Sequence, residues 1–350
     1  MMARMRTSRY VGATILLASL ATGALTGCSL RLETPPVPVP SPDQYELLRD
    51  AAAHDEARVL DALPAATAAI ATGTGASTPG RDYFVQVEAA SATPHLDALG
   101  GVYVPFPSAT PSPSTTPSPS ASPPREQGVA SLTRKVAEAR DDDLAAALVA
   151  EDPDLALVLA SIGLSHGASL AVGVYQDAIA AGSAPLASER RMPGGAFADL
   201  VPAATTLDGA TLEGIIVAHD YAAYAYEVIA ARSSDDARTQ ALERSRIHAR
   251  RADELVAIAG ADPRSPAYVI DDARFDDDAT MAALASETEA GIADRYVTAF
   301  FGAAQAGATA LGDRGWLLAG AYDALVQGPL WSGPTAEGTD PLPGVVLPEG

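Results

Sequence analysis

Apolar residues recur at three- and four-residue spacing through most of this chain, and the two-residue alternation of a half-buried strand is nearly absent. That period is the tightest constraint on the fold, because it decides which side chains share a face. It predicts helices over Asp43 to Leu60, Tyr83 to Leu99, Val129 to Ala150, Asp154 to Ala180, Leu212 to Arg232, Asp235 to Ala259, Ala279 to Ala310 and Arg314 to Val326. Asp152-Pro153 reads as an N-cap followed by a first-turn proline, Ser234 as a cap and Gly260 as a stop, while Pro94 is expected to break the second helix. Aromatic residues are 5% of a chain that is 48% apolar, so the core must be built from Ala, Leu and Val. The fold class expected is all-α.

Leu155 to Gln176 contains no Asp, Glu, Lys or Arg, and its length alone would permit a membrane span. Ser161, Ser165, His166 and Ser169 interrupt it, which favours a central bundle helix buried on all sides.

The N-terminus reads as an address. Arg4, Arg6 and Arg9 precede the apolar run Val11 to Leu20 and the small-residue stretch Ala21 to Gly27, the layout of an export signal. The stretch ends in Leu25-Thr26-Gly27-Cys28, a bacterial lipobox, and Cys28 is the single cysteine of the chain. A thiol there can be converted to the diacylglyceryl thioether that anchors a mature lipoprotein, and two acyl chains suffice for stable anchoring. The expected organisation is a signal peptide (1–27), a Pro-rich tether (28–42), an N-terminal helical segment (43–104) and a Pro/Ser/Thr linker (105–125). A helical hairpin (126–205), a four-helix domain (206–333) and a tail (334–350) follow. The linker cannot bury a core and is expected to be disordered, with O-glycosylation or partner binding as its functional alternatives.

Forty-four acidic against 23 basic residues leave a net charge of −21, a field that repels phosphate backbones and argues against nucleic acid as a partner. One cysteine excludes an internal disulfide framework and a Cys-rich metal site. There is no Gly-x-Ser-x-Gly elbow, no His-Glu-x-x-His, no phosphate-cradling Gly loop and no Glu-x-x-His pair. The acid runs Asp141 to Asp143 and Asp271 to Asp278 lack the glycine turn and terminal Glu of a calcium loop, and read as caps and solvated loops.

All five histidines, His54, His95, His166, His219 and His248, fall within expected helices. Helical spacing sets His219 and Tyr226 on one apolar stripe, His248 on the next and Glu289 with Tyr296 on a third. A bundle could therefore gather His219, His248 and Glu289 around one point, a donor set suited to a first-row metal such as iron or manganese. Structural polar contacts are the competing reading of the same three residues.

From residue 208 onward the motifs resemble a ferritin-like family of bacterial envelope proteins (domain of unknown function 4439). Ala218-His219-Asp220-Tyr221-Ala222-Ala223-Tyr224-Ala225-Tyr226 is similar to its A-E-H-A-A-x-Y-A-Y signature, and His248 to Leu255 to its H-R-x-R-R-D-x-L helix. Pro266-Ala267-Tyr268, the helix bearing Glu289, and Pro343-Gly344 follow in the same order, over about 208–345. The resemblance implies a ferritin-like four-helix bundle, here with additional N-terminal helices, and an exported location; it brings no established activity. His219-Asp220 stands where the family has Glu-His, so a ferritin-type carboxylate site does not carry over; His248 and Glu289 match in kind.

The expected function is that of a lipid-anchored envelope protein, a binding or structural module, with a metal-dependent redox or iron-handling protein as the alternative. A solute-binding lipoprotein would need parallel strands that the pattern lacks. Cys28→Ala is expected to release the protein from membranes or leave it unprocessed, read by membrane fractionation and intact mass; unchanged fractionation with a normal mature mass would refute lipidation.

Overall fold

A computed structural model describes residues 42–72, 78–103, 125–194, 197, 199–336 and 339–345. The lipobox, most of the tether and the Pro/Ser/Thr linker lie outside the described residues. Among those described there are eight α-helices and no strand: α1 (Gln44–Ala71), α2 (Pro79–Ala98), α3 (Arg125–Val149), α4 (Pro153–Ala180), α5 (Gly209–Arg232), α6 (Asp235–Ala259), α7 (Asp278–Gln305) and α8 (Arg314–Ser332). All of them belong to one compact unit, Asp43–Gly350.

Local chemistry sets the ends. Asp43, Thr78, Asp152, Asp208 and Asp277 each accept a backbone N–H in the first turn of the helix they precede, satisfying donors that the helix cannot. Asp277 and Thr280 form a reciprocal capping box. Gly260 closes α6 at φ 71°, a left-handed conformation that favours glycine. Ser234 occupies the N-cap position of α6 but its side chain makes no capping bond. Two prolines lie inside helices rather than ending them. Pro64 sits in α1, which runs eleven residues beyond the expected Leu60, and Pro94 sits in α2. Pro94 is close to the end of α2, where one lost backbone bond matters least, and the fully buried His95 beside it anchors the last turn.

The helices pack as two groups of four with one and the same neighbour order. In the first, α1 lies against α2 and α3, and α4 against α2 and α3. In the second, α5 lies against α6 and α7, and α7 against α8. Ion pairs from Arg244 and Arg251 to Asp323 tie α6 to α8. Gly128 of α3 faces Ala65 of α1, Gly80 of α2 faces Gly173 of α4, and Tyr226 and His219 of α5 meet Glu289 and Tyr296 of α7 in reverse order. Neighbours therefore run antiparallel, so α2 and α3 point the same way, as do α6 and α7. The segments joining them connect opposite ends of each group. Each group is a hairpin, a crossover and a second hairpin. The expected N-terminal segment and the expected hairpin of 126–205 thus pack together as the first group.

Helix α4 belongs to both groups, packing on α2 and α3 and also on α7 and α8. It is the one helix among the described residues long and apolar enough to cross a membrane, and 78% of that stretch is buried inside the protein. Burial from several sides accounts for its lack of charge. Alanine supplies much of the core, and each buried methyl-sized group contributes only about 0.8 kcal/mol, so stability depends on many close approaches. The tightest is α2 on α4: a Cβ at Gly80 would lie 1.9 Å from the Gly173 carbonyl oxygen. Gly80→Ala is expected to lower stability by about 1–3 kcal/mol through overpacking. Gly214→Ala, in α5 with nothing within 4 Å of the new Cβ, should instead gain up to about 1 kcal/mol. Paired urea denaturations read both signs.

Candidate functional site

In the first group, each helix turns at least one ionisable side chain inward from an otherwise apolar stripe. Glu56 follows Ala52 and Ala53 on α1 and precedes Val59; on α2, Glu88, Ala92 and His95 share a face. On α3, Leu132, Val136 and Ala139 lead at the same spacing to Asp143, and α4 brings His166 and Ser169. Glu56, His95 and His166 are 0% exposed, and Glu88 and Asp143 are 1% exposed.

His166 is the hub. Its Nε2 lies 2.5 Å from Glu56 Oε1 and its Nδ1 lies 2.9 Å from Glu88 Oε2. Ser169 donates its hydroxyl to the other oxygen of Glu88. Burial opposes a charge on this ring, but Glu88 and Glu56 outweigh it and raise its pKa well above the usual histidine range. Burial would likewise raise Glu56, yet His166 and His95 hold it down at about 2. For Asp143 burial dominates: His166 pulls its pKa down, but burial, with Glu56 and Asp142 beside it, lifts it well above the carboxylate range.

His95 completes the cluster from the other side. Its Nε2 donates to the Pro341 carbonyl oxygen at 2.7 Å, which leaves Nδ1 facing Glu56 Oε2 at 3.4 Å without a hydrogen bond. Pro341 belongs to a C-terminal strap that also buries Leu342 and accepts the Ser161 hydroxyl at the Pro343 carbonyl. Three buried atoms around this point have no hydrogen-bond partner: Glu56 Oε2, His95 Nδ1 and Asp143 Oδ2. One ligand atom each from Glu56, His95 and His166 lie within 4.8 Å of one another, close enough to share a metal ion.

The second group brings together the three residues singled out in the sequence. His219 Nδ1 lies 2.9 Å from His248 Nδ1, and His248 Nε2 lies 3.1 Å from Glu289 Oε1. His219 Nε2 is 2.8 Å from the Tyr296 hydroxyl, and Tyr226 donates to Glu289 at 2.9 Å. A cation is already among them. Arg244 holds both oxygens of Glu289, at 2.6 and 2.7 Å, and reaches Asp323 Oδ2 at 2.9 Å. Arg251 reaches the same Asp323 oxygen at 2.8 Å. Burial alone would raise Glu289; Arg244 and His248 bring it to about 2. Burial first, then the charges of His248, Arg251 and Arg244, press His219 well below the usual histidine range.

Of the acid runs, Asp271 and Asp277 serve as caps, whereas Asp143 is buried in the first cluster. The sequence reading passed over Glu56 and Glu88, placed His95 in a helix without assigning it to a site, and took Asp143 for a cap or solvated loop, which its burial within α3 corrects. Their signal was an ionisable residue falling in register on an apolar stripe, the pattern that singled out His219, His248 and Glu289. Comparison with family models, with curated proteins and with solved structures finds no match to this chain.

His166→Ala would leave Glu56 and Glu88 buried without their counter-charge. It is expected to cost about 3–5 kcal/mol in denaturant unfolding, the range for breaking a buried pair from one side. His54→Ala, at the exposed His54 of the same group, should change stability by no more than about 0.5 kcal/mol.

Proposed function

We propose that this chain is a lipid-anchored protein of the outer face of the cytoplasmic membrane, ferritin-like in its helical bundle, whose first helix group binds a transition-metal ion between Glu56, His95 and His166. The hairpin–crossover–hairpin order of α5 to α8 supports the ferritin-like reading of 208–345, and α1 to α4 share that order. The lipobox at Cys28 supports the location.

The observation that carries the metal reading is how the two histidines are held. A metal-binding imidazole needs its second nitrogen fixed by a carboxylate or carbonyl so that the first presents its lone pair. His95 has Pro341 O at Nε2, and His166 has Glu88 at Nδ1, itself steadied by Ser169. The remaining nitrogens, His95 Nδ1 and His166 Nε2, both face Glu56, and the proton that His166 Nε2 shares with Glu56 Oε1 would be released as the ion binds. Two imidazoles and a carboxylate suit iron, manganese or zinc. A cavity of about 700 Å³ opens among α1 to α4, and Phe84 and Leu170 on its wall stand one helical turn, roughly 6 Å, from Glu88 and His166. Full burial of the three ligands favours holding an ion over turning over a bulky substrate, so the role is binding rather than catalysis.

Elemental analysis and cobalt(II) titration of the full-length protein in detergent test this. About one equivalent per chain is expected, with the visible d–d bands of a nitrogen- and oxygen-liganded site. His95→Ala and the near-isosteric Glu56→Gln should each abolish uptake, while His54→Ala should leave it unchanged. A folded native protein that takes up no metal, or uptake indifferent to Glu56→Gln and His95→Ala, would overturn the assignment.

A further inference from the structure

The two helix groups share one arrangement yet neutralise their buried acids differently. In the first, α4 sets His166 opposite Glu88 and His95, which lie seven residues apart on α2; His166 bonds Glu88 and its ring meets that of His95 edge-on at 4.9 Å. In the second, α8 sets Asp323 against Arg244 and Arg251, also seven residues apart on α6. The hubs occupy matching helices, and the base–acid pair His166–Glu88 of the first group returns reversed as Asp323–Arg244 in the second.

We infer that the second group is a metal-type donor site kept closed by the protein's own cation, the Arg244 guanidinium, and that removing this side chain opens it to a divalent transition metal. The donors are already assembled. Glu289 Oε1 and Oε2 and Asp323 Oδ2 lie 2.6, 2.7 and 2.9 Å from Arg244 nitrogens, and His248 Nε2 stands 3.1 Å from Glu289 Oε1. His248 is oriented as a ligand would be: its Nδ1 is engaged by His219, which is held in turn by the Tyr296 hydroxyl. Arg244, Glu289, Asp323 and His248 are all 0% exposed.

Truncating Arg244 would leave Asp323 with Arg251 and the Arg190 backbone N–H, and Glu289 with His248 and the Tyr226 hydroxyl, around a void where the positive charge had been. Uncompensated buried charge is strongly unfavourable, so the void favours a small multivalent cation over water. Such an ion would sit at about 2.0–2.2 Å from nitrogen and carboxylate ligands, a contraction that the volume vacated by the guanidinium permits. The corollary, that the native chain takes up a single ion in its first group, rests on the metal reading above; the closure by Arg244 does not.

The test separates the two. Full-length protein carrying His95→Ala, which disables the first site, is titrated with cobalt(II) before and after Arg244→Ala is added. Uptake is expected to rise from none to about one equivalent per chain, with d–d absorption and a cobalt-dependent rise in melting temperature. Adding His248→Ala should abolish both. The milder Arg244→Gln, which keeps a hydrogen-bonding side chain, is run beside it so that a folded variant is available. Neither variant gaining a cobalt spectrum or a cobalt-dependent melting shift would overturn the closure, whatever the native protein binds. A native chain without cobalt whose Arg244→Ala form gains one equivalent would instead sink the first-site reading and keep this one.

Discussion

A carboxylate buried among alanines must be handed a cation, and much of this fold follows from that requirement. A methyl-sized contact is worth about 0.8 kcal/mol, whereas an unpaired buried charge costs several. Alanine stripes are nearly interchangeable, so a helix could shift by a turn at little apolar cost. It could not do so without stranding Glu56 and Glu88 away from His166, or Glu289 and Asp323 away from Arg244. The polar hubs therefore pin the register that the small side chains leave loose.

Polar anchors also join the two groups. The largely buried Arg314, at the start of α8, donates to the carbonyls of Ala147, Leu148 and Ala150 at the end of α3, and to Ala304 near the end of α7. Those carbonyls belong to helix ends that have no intrahelical partner, so one guanidinium satisfies the termini of two helices from different groups. The C-terminal strap repeats the device: leaving α8 of the second group, it places the Pro341 carbonyl on His95 of the first. The orientation of His95 is thus fixed in part by a residue 246 positions away in sequence.

The helices were legible because period and caps are local. Asp152-Pro153 and Gly260 mark the ends they promise. Pro94 misled, since α2 absorbs it, and α1 likewise runs through Pro64 past the expected Leu60. The convergence of His219, His248 and Glu289 was readable from stripes alone, because each lies on the apolar face of its helix. Arg244 was not, although it shares the face of His248 one turn away; an arginine at such a position is ordinarily assigned to solvent. Glu56, Glu88 and Asp143 were lost for the same reason. The pairing of two hairpins across the Pro/Ser/Thr segment has no local signal, so the first cluster could not be assembled before the fold was known.

The atoms left without partners distinguish the two hubs chemically. Around His166 the unpaired atoms are Glu56 Oε2, Asp143 Oδ2 and His95 Nδ1, the far nitrogen of His95 being engaged by the Pro341 carbonyl. Around Asp323 they are Arg244 Nη1 and Arg251 Nε, both N–H donors. A pocket of spare lone pairs calls for a cation, and a pocket of spare N–H groups calls for water or another acceptor. Guanidinium is planar and spends its charge along five fixed directions, so it fills a space between carboxylates while leaving some of its own donors idle. An ion has no such directions of its own and draws every lone pair toward one centre. The same helix arrangement thus supports both solutions, and the sign of the unsatisfied atoms separates the group with spare acceptors from the group that already holds its counter-charge.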